Sequence, residues 1–167
     1  TLAGGKIYFR ANDGVRGNEL YVVELPGATA MPIGTGCPDG AAPTMTADDP
    51  ELGGSITLQV AGAPATVAGM MFVTLPEQGI HLGFGCVLYV NPAAIAATIA
   101  FATSGSGSYS TGAIPVPNTP ALAGVVLNAQ SGVTDLAVPP LGVALTNGLA
   151  LTLFNSSSSS ASRWQHA

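Results

Sequence analysis

The chain has 167 residues and a net charge of −5, with four basic residues, 47% hydrophobic content and only 8% charged content. So few Lys and Arg exclude nucleic-acid binding, which depends on neutralising phosphates, and no apolar run of about 20 residues offers a membrane-spanning helix. A transmembrane β-barrel would need longer alternating strands and aromatic girdles, against 6% aromatics here.

The chain begins at Thr1 and not at Met, so a cleaved export signal is expected, and secretion is read from the remaining features. Charge divides the chain into two regimes. Lys6, Arg10, Asp13, Arg16, Glu19 and Glu24 crowd the start, Asp39, Asp48, Asp49 and Glu51 follow, and between Leu52 and Ser162 only Glu77 and Asp135 are charged.

Residues 1–25 read as a β-hairpin arm. Lys6 to Ala11 alternates as a strand, Asn12-Asp13-Gly14 supplies turn chemistry, and Glu19 to Leu25 returns. The EF-hand spacing is absent around Asn12-Asp13-Gly14, so a turn explains these residues better than calcium does. Residues 26–36, with two prolines and three glycines, read as an extended linker. Cys37 and Cys86 lack metal-site spacing; they are either a disulfide or two buried thiols, and the extracellular character of the composition favours the disulfide.

Residues 37–155 predict a β-sandwich, Ig-like or jelly-roll-like, of about eight or nine strands. Expected strands are Pro43–Ala47, Ser55–Ala61, Val67–Leu75, Cys86–Val90, Thr98–Thr103, Ser108–Val116, Val125–Val133, Val143–Thr146 and Leu149–Phe154. Ile56, Leu58 and Val60 alternate inward, as do Leu149, Leu151 and Leu153. Pro76 to Gly79 reads as a turn, Pro92–Ala97 as a short helix, and Asn147-Gly148 as a two-residue hairpin turn. Residues 156–167 form a Ser-rich tail closed by Arg163-Trp164-Gln165-His166. Serine runs are usually disordered, and an ordered one has to dock on its own domain or a neighbour.

The string Gly5 to Gly14, followed by Gly17-Asn18-Glu19-Leu20-Tyr21-Val22, resembles one copy of the bacterial ELWxxDGT-type (hyalin-like) extracellular repeat. Tyr21 stands where that repeat carries Trp, the DGT ending is missing, and one copy is present. Gly36-Cys37-Pro38, Gly85 to Val90 and Leu145 to Leu151 resemble the C-terminal β-sandwich that follows such repeats in secreted bacterial proteins. The arrangement is also similar to environmental fibril subunits joined by strand donation.

Acid–base groups are scarce. His81, Glu77, Asp135 and the Asp48-Asp49-Glu51 turn are the candidates, and no GxSxG elbow or phosphate loop accompanies them, so no enzyme and no cofactor are expected. A lone hairpin is marginal in water, and its return strand is apolar on both faces. Ile7, Tyr8, Phe9, Leu20, Tyr21, Val22, Val23 and Leu25 are therefore the expected subunit interface. The expected function is a structural subunit of an extracellular fibre, with copies of itself as partner, docked by strand addition. Low surface charge also suggests covalent glycans, with Asn155, Ser106, Ser108, Ser110 and Thr111 as candidate acceptors. The alternative is a carbohydrate- or cell-surface-binding module using Phe84, Tyr89, Tyr109 or Trp164.

Overall fold

A computed structural model describes residues 2–3, 6–12, 14, 18–24, 27–38, 42–138 and 140–155. The Ser-rich tail lies outside the described residues. The strands are β1 (Leu2–Ala3), β2 (Lys6–Asn12), β3 (Asn18–Glu24), β4 (Thr29–Ile33), β5 (Thr44–Ala47), β6 (Ser55–Ile56) and β7 (Leu58–Ala61). They continue with β8 (Ala68–Gly83), β9 (Cys86–Ala102), β10 (Tyr109–Ser110), β11 (Ile114–Pro115), β12 (Val126–Thr134), β13 (Val143–Leu145) and β14 (Gly148–Thr152). The described residues hold one short 3-10 turn, Pro120–Leu122, and no α-helix. The chain is an all-β sandwich.

One layer is the antiparallel sheet β4-β14-β12-β8-β9, with β13 alongside β14 on the same flank of β12. The other layer is β5-β7-β10, continued past Thr57 by the β6–β11 pair. The expected alternation places Ile56, Leu58 and Val60 inward from the second layer, where they meet Met71, Phe101, Ala129, Val133, Leu149 and Leu151 from the first. Leu153 closes the same core beyond β14. β2 and β3 form an antiparallel sheet with β1 added outside β2, and none of these three strands joins either sandwich sheet.

Four expectations are corrected, three of them here. The segment expected as linker carries β4, which pairs with β14 from Thr29↔Thr152 to Ile33↔Gly148. Its Pro32 misled the reading, because proline is tolerated in a strand when that strand lies at an edge. Pro92–Ala97 is not helical but part of β9, since pairing of Ile95 with Thr74 and Ala97 with Val73 outweighs the local preference of alanine. Asn147-Gly148 is not a hairpin turn either. β13 and β14 do not pair with each other; both flank β12, and Thr146-Asn147-Gly148 bulges between Leu145↔Gly132 and Leu149↔Ala129. Glycine is required there because a Cβ on Gly148 would sit 2.7 Å from Tyr89 Cβ.

Tyr89 reaches that position because the β8–β9 hairpin is sharply bent. Pairing jumps from Thr74↔Ile95 to Pro76↔Val90, so Asn91 to Ala94 bulge out and Pro76 to Gly79 lies within β8 and not in a turn. The distal half of the hairpin folds over the outer face of its own sheet. Two amides of β12 receive it. Asn128 Nδ2 donates to the carbonyls of Tyr89 (2.7 Å) and Glu77 (3.2 Å). Gln130 Oε1 accepts the Tyr89 N–H (2.8 Å), while Nε2 donates to Val87 O (3.0 Å) and Thr146 O (2.8 Å). Gln130 is 1% exposed, and its bond to Thr146 O is fully buried, so that carbonyl depends on the amide and not on water. A buried group stranded in this way costs about 1–3 kcal/mol. Gln130→Leu, close in volume but without the amide, is therefore expected to lower unfolding free energy by about 3 kcal/mol in chemical denaturation.

Candidate interaction surfaces

Of the residues expected at an interface, the N-terminal sheet exposes Phe9, Leu20, Tyr21 and Val22, and Tyr8 is half-buried. Cross-strand partners share a face: Tyr8↔Val22 and Arg10↔Leu20 on one side, Phe9↔Tyr21 on the other. The Phe9 and Tyr21 rings stack with centroids 5.6 Å apart. Leu20 is 69% exposed, Val22 47% and Phe9 43%. After β2, Asn12 Oδ1 accepts the Gly14 N–H at 2.8 Å, and Gly14 takes φ +79°, a local Asx geometry. Leu25 lies outside the described residues. Among the described residues no strand pairs with the outer edge of β3.

The sandwich has its own edges, and they differ. The two outward N–H positions of β4 are Ala30 and Pro32. Ala30 N–H donates to Asp49 Oδ1 at 2.9 Å instead of to β14, and Pro32 has no N–H to offer. β5 is closed by Asn147, whose Oδ1 accepts the Met45 N–H (2.8 Å) while its Nδ2 donates to Met45 O (3.1 Å). This seam between the layers is laced shut.

The opposite seam is open. Thr103 N–H donates to Val67 O at 2.9 Å, so by antiparallel alternation Thr98, Ala100 and Ala102 of β9 turn their N–H and C=O outward. Nothing in Ala97–Ala102 blunts this edge: it carries no charge, no proline and no bulge. A cleft opens beside its end, lined by Ala102 and Ser104 on one side and by Val60, Tyr109 and Ser110 on the other. Tyr109 stacks on Phe101 at 4.3 Å across the layers, flooring the cleft.

Cys37 and Cys86 form a disulfide. Cys37 bridges to Leu145 through paired backbone hydrogen bonds of 2.9 and 3.0 Å, so the disulfide pins the start of β9 to the end of β13. Of the candidate glycan acceptors, Ser106, Ser110 and Asn155 are exposed and Ser108 is half-buried. Ser106 and Ser108 share hydrogen bonds with Ser104 (2.8–3.0 Å). The Thr111 hydroxyl is engaged, accepting Leu58 N–H at 3.0 Å and donating to Gly112 O at 2.8 Å. Ser156 and Ser157 of the Asn155 sequon, and Trp164, lie outside the described residues.

The acid–base candidates do not converge. Asp49 serves Ala30, Asp135 Oδ1 accepts the Ala137 N–H (3.0 Å), Glu77 Oε1 accepts the Gln78 N–H (2.9 Å), and His81 sits exposed in register with Val87. Among the described residues no three of His, Cys, Asp and Glu are grouped as for a metal ion. Of the aromatic candidates, Tyr89 is half-buried over Gly148 and Tyr109 is stacked. Phe84 alone stands out, 73% exposed at φ +54° in the two-residue turn that closes β8 onto β9.

Sequence reasoning missed Asn128, Gln130 and Asn147. For Asn128 and Gln130 the only signal is polar residues alternating along β12, which reads as a solvent face until the folded hairpin is placed on it, while Asn147 carries the signature of a turn. No protein-family model matches the chain, and neither a curated protein nor a solved structure does.

With 49 residues separating the two cysteines, chain-entropy loss in the unfolded state is worth about 4 kcal/mol. The Cys37→Ser, Cys86→Ser double variant is expected to lose about 2–4 kcal/mol of stability. Its Val87–Val90 amides are expected to exchange faster than those of β12, as hydrogen exchange would read directly.

Proposed function

We propose that the chain is a structural subunit of an extracellular bacterial fibre, polymerising head-to-tail by docking its N-terminal strands on the neighbouring subunit. The observation that carries this reading is the exposure of Leu20 and Val22 on one face of the β2–β3 sheet and of Phe9 and Tyr21 on the other. A strand apolar on both faces is stable when covered on both, and among the described residues this sheet joins no other strand. A contact between unlike surfaces repeats from copy to copy and grows a filament when it does not close.

Other features support an extracellular place. A disulfide persists in oxidising surroundings, and no helix among the described residues is long and apolar enough to cross a membrane. The resemblance of the N-terminal segment to an extracellular repeat points the same way, and the exposed serines would carry glycans without loss of packing. A surface-binding module is favoured only by the exposed Phe84 ring; sugar stacking generally uses several such rings, and Tyr89 and Tyr109 are engaged elsewhere.

Leu20→Glu with Val22→Glu places two charges at the centre of the proposed contact and leaves the sandwich untouched. The wild-type chain is expected to form filaments visible by negative-stain electron microscopy, and the double variant to sediment as a monomer. Wild-type protein that sediments as a monomer at high concentration would sink the reading.

A further inference from the structure

We infer that the receiving surface is the outer edge of β9, Ala97–Ala102, and that its occupant is β3 of a second copy. The inference rests on the fibre reading above and assigns both sides of its contact.

The edges of the two sheets differ in whether they can accept a strand. An added strand needs outward N–H and C=O groups in sequence. β4 offers none of its two outward N–H groups, because Asp49 holds that of Ala30 and Pro32 lacks one. β5 is four residues long and its outward Met45 is taken by Asn147. β10 and β11 are two residues each. Among the described residues, Thr98, Ala100 and Ala102 of β9 have no strand on their outward side, along a regular, uncharged stretch. Natural sheets usually blunt an edge of this kind with charge, proline or a bulge. Here the chain blunts β4 and leaves β9 bare.

β3 fits that edge. It is seven residues long and its own outer edge is unpaired among the described residues. Its middle, Leu20 to Val23, is uncharged, and Glu19 and Glu24 lie towards its ends. Docked beside β9, the strand would turn one face toward the cleft of Val60, Ala102 and Tyr109, so no carboxylate at the centre of the strand would be buried.

The strand cannot come from the same chain. Glu24 and Thr29 are five residue steps apart, about 18 Å at full extension. A strand outside β9 lies five strand positions from β4 across the sheet, about 24 Å. The tether falls short, so the β3 that reaches β9 belongs to a neighbour.

The test uses the full chain with Ala100→Pro. The Ala100 N–H faces outward, so proline there breaks no bond to β8 while removing a donor from the accepting edge. The variant should keep a wild-type melting temperature and form no filaments. Mixing it with the Leu20→Glu, Val22→Glu chain should give a 1:1 heterodimer and nothing larger. The first chain keeps its donor strand and the second keeps its accepting edge. If Ala100→Pro melts early, Thr98→Lys with Ala100→Lys replaces it, putting charge on two exposed positions of the same edge. Filaments from a folded edge variant, or failure of the two monomeric variants to pair, would overturn the assignment while leaving the fibre reading in place. Absence of wild-type filaments would remove the fibre reading itself.

Discussion

Side-chain amides hold the layers of this molecule together by pairing with backbone that has no strand beside it. Asn147 presents a C=O and an N–H to Met45 as a neighbouring strand would, and so ends the second layer at β5. Asn128 and Gln130 do the same for the strand that crosses their sheet from above. An amide carries a donor and an acceptor in one plane, which is what an isolated peptide unit requires. Among the described residues no buried side-chain nitrogen or oxygen is left without a partner. Were these amides replaced by apolar groups, the folded-over hairpin would bring unsatisfied carbonyls and N–H groups with it, and it would peel away.

The same requirement sorts the sheet edges. With two charges between Leu52 and Ser162, the sandwich cannot rely on surface charge to keep its edges apart. It uses proline and Asp49 at β4, an amide at β5 and brevity at β10. β9 departs from that pattern over six residues. An edge left bare in a chain this poor in charge would drive unspecific association unless one partner fits it better than the rest. In the proposed fibre the N-terminal sheet, with apolar side chains exposed on both faces, would be such a partner.

Much of the sandwich was legible because burial on one face writes a period of two into the chain. Ile56, Leu58 and Val60 show it, and so do Leu149 and Leu151. β4 was hidden because its edge position permits the proline and small residues that elsewhere mark a linker. Pro92–Ala97 was hidden because alanine carries little strand preference of its own, and long-range pairing with β8 decided the matter. Asn147-Gly148 has the chemistry of a turn, yet its amide and its missing Cβ serve partners about a hundred and about sixty residues away in sequence. The apolar faces of the hairpin could be read directly, since both alternate within a few residues. Which sheet edge stands open could not, because openness depends on what every other strand covers.

In the proposed fibre the disulfide would also have a mechanical meaning. Cys37 follows β4 by four residues, and Cys86 opens β9. β4 and β9 are opposite margins of one sheet, with β14, β12 and β8 between them. A pull entering through the N-terminal arm and leaving through a strand docked on β9 would load those hydrogen-bonded rows crosswise, the direction in which a sheet unzips row by row. The covalent link runs from one margin to the other outside that ladder. Tension would pass from residue 37 to residue 86 through sulfur, and the interior strands would be shielded from the load the chain transmits.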